Sequence, residues 1–123
     1  MIKIEYMKYI TRDIVRANPE KIFLFGDNLL RRGYGGQAKE MRDEPNAIGI
    51  PTKKKPSSTP GSFFTDDEFD DNIKVIDKAF DTIPGDGTVV IPLSGIGTGY
   101  AQLREKAPRT FKYLSLRLME LNV

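Results

Sequence analysis

Two clusters of glycine, each directly after a short apolar run, constrain this chain more than any other feature. Ile22 to Phe25 leads into Gly26-Asp27-Asn28 and then into "GYGGQA" (Gly33 to Ala38). Thr88 to Leu93 leads into "SGIGTGYA" (Ser94 to Ala101). Apolar runs of this length, bounded by turn residues, predict strands covered on both faces, as in parallel sheets. Glycine loses more backbone freedom on folding than any other residue. Clusters of it at two strand ends therefore ask for a reason, and a bound group that must come close to the backbone supplies one.

The rest of the pattern agrees with a layered α/β fold. Ile2, Ile4 and Tyr6 alternate with polar residues, which predicts a half-buried edge strand, and Ala47 to Ile50 predicts a further covered strand. Helices are predicted over Thr11 to Ala17, Gln37 to Asp43 and Thr65 to Thr82, with a last one opened by Pro108. In the third, Thr65 and Glu68 have capping-box spacing, and Phe69, Ile73, Ile76 and Phe80 form one apolar stripe. In the last, Phe111, Leu114, Leu118 and Leu121 do the same. Strands alternating with helices imply a mainly parallel central sheet, and in open sheets of that kind ligands sit beyond the carboxyl ends of the strands. The chain of 123 residues suits one domain, 1–123. Pro51 to Ser62, "PTKKKPSSTPGS", reads as an exposed, linker-like loop.

Composition narrows the chemistry. There is no cysteine and no histidine. Thiol nucleophiles, disulfides, Cys-ligated zinc and His-based catalysis are excluded, which leaves Asp, Glu, Lys, Arg, Tyr, backbone groups or a metal held by oxygen ligands. No metal site and no cofactor is expected. No apolar run is long enough for a membrane span, and "MIKIEYMKYI" lacks the apolar core of a signal peptide, so a cytoplasmic, monomeric protein is expected. Net charge is +2, with residues 1–60 carrying 12 Lys/Arg against 7 Asp/Glu and residues 61–123 carrying 7 against 10. The basic half holds the first glycine cluster, mild support for an anionic ligand there. Nucleic acid is not indicated by so small a charge.

Neither cluster is a common nucleotide motif. Read from Gly95 or from Gly97, G-x-G-x-x-G fails at Tyr100 or at Gln102, and no P-loop is present. What remains is a nest: successive backbone N–H groups in a glycine-rich turn bind anions, with donors from a following helix start behind Gly35-Gly36. Two such turns at neighbouring strand ends would hold a diphosphate. One alone would read as ordinary left-handed turn residues.

Taken together, "RDI" (Arg12 to Ile14), "FGDN" (Phe25 to Asn28), "GYGGQA" and "SGIGTGYA" resemble the macrodomain family of ADP-ribose-binding modules. In that family a Gly-Asp-Ile, a strand ending Asn-Ala-Ala-Asn, a triple-glycine loop and a Ser-x-Gly-Ile-Phe-Gly-Tyr-Pro loop follow in this order. Tyr34 interrupts the glycine triplet and Ala101 replaces the last proline. The resemblance implies a three-layer α/β/α sandwich that binds ADP-ribose or an ADP-ribosylated substrate. Asp13, beside Ile14, would accept from the adenine amino group, and equally reads as a helix-start carboxylate. Asn28 would bond the distal ribose, and equally reads as a turn residue. The backbone at Gly35, Gly36, Ile96, Gly97 and Thr98 would hold the diphosphate, with Gln37, Ser94, Gly95 and Gly99 as further substrate-binding residues. Tyr100 would pack on a sugar or base, and Arg31 and Arg32 would attract the anion.

The resemblance also implies hydrolysis of an ADP-ribose derivative. In one version Lys53, in "IPTKKKP", is the nucleophile of an ADP-ribosyl hydrolase, its ammonium destabilised by Lys54 and Lys55, although Gly99 stands where the partner carboxylate belongs. In the other, an ADP-ribose 1″-phosphate phosphatase, Asp27 or Asp66 orients water. The alternatives are a non-catalytic reader of such nucleotides, and a nucleic-acid or protein interaction domain using the basic loop.

Overall fold

The computed structural model describes residues 1–121. They form an α/β fold built on four parallel strands: β1 (Ile2–Met7), β2 (Lys21–Asn28), β3 (Ala47–Lys53) and β4 (Gly87–Pro92). The order across the sheet is β1-β4-β2-β3. Five helices connect or follow them: α1 (Arg12–Ala17), α2 (Ala38–Met41), α3 (Phe69–Phe80), α4 (Leu103–Lys106) and α5 (Pro108–Glu120). Among the described residues, no helix is long and apolar enough to cross a membrane.

Side chains alternate across a strand, and the two central strands are apolar in both registers. Leu24 of β2 and Val89 and Ile91 of β4 join one core with Ile50, with Ile76 and Phe80 of α3, and with Leu114 of α5. Phe23 and Phe25 of β2 and Val90 of β4 join a second core with Val15 of α1 and with Ala38 and Met41 of α2. This double burial is why these runs carry no polar alternation. On the outer strand β1, Ile2 and Ile4 pack on the first core while Tyr6 stays exposed, so the expected alternation holds for two of its three residues.

Two helix ends differ from expectation. Thr65 makes no side-chain cap to the backbone; a 3-10 turn, Asp66–Glu68, precedes α3. Asp66 turns instead to the start of α5, accepting from the N–H groups of Arg109 (2.8 Å) and Thr110 (3.1 Å) and from the Thr110 hydroxyl (3.0 Å). Those first-turn donors have no partner inside their own helix, so the Asp66 carboxylate beside them satisfies them, while Pro108 at the first position has no N–H to satisfy. Helix α2 is one turn, shorter than the predicted 37–43. After Met41 the backbone of Arg42 becomes extended (φ −59°, ψ 138°), and Asp43 is left-handed (φ 73°).

Because the sheet is parallel, all four strands end at the same side. Strands β2 and β4 are neighbours, with Phe23 beside Val90. The two glycine clusters therefore leave the sheet next to each other.

Candidate functional site

A cavity of about 900 Å³ lies between these two loops. Close packing forces glycine at its floor. A Cβ on Gly97 (φ 79°) would lie 3.1 Å from Thr52 Cγ2 and 3.2 Å from Leu103 Cβ. Gly33 (φ 96°) faces Pro56, which a Cβ would meet at 2.9 Å. The loops also touch at the rim. The Tyr100 ring of the second lies 3.6 Å from where a Gly35 Cβ would stand in the first, yet Tyr100 remains 74% exposed.

Most amides of both turns are free of internal partners among the described residues. Among the described residues, the N–H groups of Gly35, Gly36 and Gln37 donate to no protein acceptor, and neither do those of Gly97, Thr98, Gly99 and Tyr100. Within the second turn Gly95 N does find an acceptor, Pro92 O (2.9 Å). Thr98 uses its hydroxyl to close its own turn on Ser94 O (2.7 Å), which leaves its backbone donor unpaired. With α2 only four residues long, the donors behind Gly35-Gly36 are turn amides and not a helix terminus.

Beneath the first loop lies a buried ionic cluster. Asp27 and Arg42 form a two-bonded carboxylate–guanidinium pair, with Arg42 Nη1 to Asp27 Oδ2 at 3.3 Å and Arg42 Nη2 on Asp27 Oδ1. Asp27 also accepts from Asn28 N (2.8 Å) and Arg31 Nη1 (3.1 Å). Arg42 spends its remaining donors on the loop backbone, at Gly33 O (2.6 Å) and Arg32 O (3.3 Å). The buried Asn28 amide donates to Arg32 O (2.8 Å), and its Oδ1 has no partner among the described residues. The cluster thus fixes the glycine turn by three donors to consecutive carbonyls. The Asp27 carboxylate, expected to orient water, is fully engaged in it.

Beside this cluster stands Lys53, at the end of β3 and in register with Asn28 of β2. Its ammonium lies 4.8 Å from the centre of the buried Phe63 ring. Burial holds the Lys53 pKa below the usual lysine range, so the cause is desolvation and not repulsion from neighbouring lysines. Lys54 is instead paired with Glu68 (2.5 Å). The linker-like stretch is part of the wall: Pro56, Ser57 and Ser58 line the cavity, and Lys54 N donates to Ser62 O (2.8 Å).

The fold therefore gathers Lys53, Asp27, Asn28, Gly35, Gly36, Gln37, Ser94, Gly95, Gly97, Thr98, Gly99 and Tyr100 around one cavity. Asp13, Ile14 and Ile96 do not line it. Asp13 is exposed at the start of α1, and the Ile96 side chain is buried in the first core. Asp66 lies at α5, as described, and Arg31 braces Asp27 while Arg32 lines the cavity. Arg42, Thr52 and Phe63 were not expected. Nothing in the local sequence distinguishes Arg42 from a solvated arginine, and the bridge that sets Phe63 beside Lys53 is a tertiary pairing. Among the described residues, no group of three or more acidic side chains is placed to hold a metal ion.

A parallel α/β sheet with an amide-lined cavity at its carboxyl edge defines the class: an α/β protein with a cavity at its strand ends. The chain belongs to the DUF7831 family, described as a family of unknown function, whose model matches residues 5–117. No curated protein and no solved structure matches it.

Proposed function

We propose that this chain is a macrodomain-like, three-layer α/β/α protein whose cavity binds ADP-ribose or a closely related nucleotide. The observation that carries this reading is the pair of adjoining glycine turns, which border one cavity and in which the N–H groups of Gly35, Gly36, Gln37, Gly97, Thr98, Gly99 and Tyr100 take no acceptor among the described residues. Such turns match a diphosphate in charge and in donor geometry. Two features add support. The one carboxylate in the lining among the described residues, Asp27, is neutralised by Arg42, and Arg32 and Lys53 leave the lining net positive. A volume of about 900 Å³ is also within the range of small-molecule sites. The two cores on opposite sides of the sheet are what a three-layer arrangement requires. With Asp13 outside the lining, base recognition rests on other groups, and the phosphates dominate.

Titration calorimetry with ADP-ribose, ADP and AMP tests this. ADP-ribose and ADP are expected to bind at least about tenfold more tightly than AMP, a difference of about 1.4 kcal/mol. Gly97→Ala, which crowds the floor, is expected to abolish the difference. Equal affinity for all three, or no binding, rejects the diphosphate reading.

Hydrolysis of an ADP-ribose derivative is the second reading, and the desolvated Lys53 amine favours it. A lysine–sugar adduct trapped by borohydride on an ADP-ribosylated substrate, and lost in Lys53→Ala, is its expected signature. Turnover that survives in Lys53→Ala removes the lysine from the reaction.

A further inference from the structure

Each glycine turn carries a tyrosine directly beside its free amides: Tyr34 precedes Gly35, and Tyr100 follows Gly99. Both rings line the cavity, and both are largely exposed, Tyr34 to 60% and Tyr100 to 74%. They stand at one lip of it. The Tyr100 ring lies 3.6 Å from a Cβ placed on Gly35 and 3.7 Å from one placed on Gly36, close to the backbone next to Tyr34. Tyr34 is held in turn by its hydroxyl, which donates to Asp43 Oδ2 (3.1 Å). Among the described residues neither ring has an aromatic or cationic neighbour. Bare aromatic faces beside an anion site suit a nucleobase, and stacking tolerates any base because every base has a π-face.

The lining lacks a group that tells one base from another. A carboxylate only accepts hydrogen bonds, so it selects an amino edge over a carbonyl edge. The one carboxylate in the lining among the described residues, Asp27, is engaged by Arg42, Arg31 and Asn28 N, and Asp13 lies outside. Gln37 and Gln102 line the cavity instead. A side-chain amide offers donors and an acceptor, and by turning over it meets an amino or a carbonyl edge equally well.

We infer that this cavity takes nucleoside diphosphates without discriminating the base, the diphosphate lying on the turn amides and the base lying by its face on Tyr34 and Tyr100. This ligand class rests on the nucleotide reading above and widens it, from adenine nucleotides to nucleoside diphosphates and diphosphate sugars of any base. The two tyrosines contribute affinity and not base choice.

Calorimetry on the full chain with ADP, GDP, CDP and UDP tests this, beside ribose 5-diphosphate, which lacks the base. The nucleotides are expected to bind within about threefold of one another, and the base-free diphosphate about tenfold more weakly. Tyr34→Ala and Tyr100→Ala are each expected to narrow that gap to about threefold, with the affinity for ribose 5-diphosphate unchanged. Both side chains are exposed, so the fold stands in either variant. Tyr100→Phe, which keeps the ring, is expected to bind as the natural chain does. ADP bound about tenfold more tightly than the other nucleotides shows that adenine is read. That result overturns the base-tolerant site and leaves the nucleotide reading standing. A base-free diphosphate bound as tightly as the nucleotides overturns it too, as does nucleotide binding unmoved in both alanine variants. Failure of every ligand to bind overturns both.

Discussion

At the scale of single residues, the Asp27–Arg42 pair decides the shape of the site. Both side chains are almost fully buried, and removing one partner leaves the other as an uncompensated charge. Arg42→Ala and Asp27→Ala are each expected to destabilise the protein by about 3–5 kcal/mol in urea titration. The double variant is expected to cost clearly less than the two added together. Simple additivity would mean that the pair does not act as a unit. None of this was legible in the sequence. Asp27 attracts notice in "FGDN" because it follows a strand, but its partner lies 15 residues on, in a polar run where an arginine signifies nothing. The pairing also explains why α2 is short. Arg42 has to leave helical geometry after Met41 for its guanidinium to reach both the carboxylate and the Gly33 carbonyl.

At the scale of elements, local pattern was informative where an element decides its own fate, and silent where two elements decide together. The stripes of α3 and α5 and the covered runs of β2 and β4 could be read directly, whereas Ala47 to Gly49 of the outer strand β3 are only half-buried. The capping box at Thr65 could not be trusted, because Asp66 serves a different helix, 43 residues away. A similar cross-element tie joins α1 to the turn after α2. Glu44 accepts from Arg16 and from Arg12, and these guanidiniums hold its pKa below the usual glutamate range. A carboxylate whose folded pKa is depressed contributes stability above its unfolded value, and loses it as pH falls through the folded one. Glu44→Gln is therefore expected to lower Tm at pH 7, with the gap to the natural chain narrowing below pH 4.5, the ordinary value for the group. A gap independent of pH would mean that the ion pairs contribute nothing.

At the scale of the whole molecule, the two cores share strands β2 and β4, so neither can melt while the other stays intact. Far-ultraviolet and near-ultraviolet circular dichroism are expected to report one coincident thermal transition; two separated transitions would show that the cores are independent. The meeting of the glycine loops also belongs to this scale. Their residues were visible in the sequence, and so was the expectation of a shared hollow, but the adjacency of β2 and β4 is set by strand order, which no local pattern encodes. The same order leaves β3 as an outer strand. Outer strands present unpaired backbone groups on which a second chain can zip. Here Arg31 donates to the Gly49 carbonyl on that strand (2.6 Å) with the same guanidinium nitrogen that braces Asp27. One side chain thus links the ionic base of the cavity to the sheet margin, and blunts the margin against unwanted strand addition.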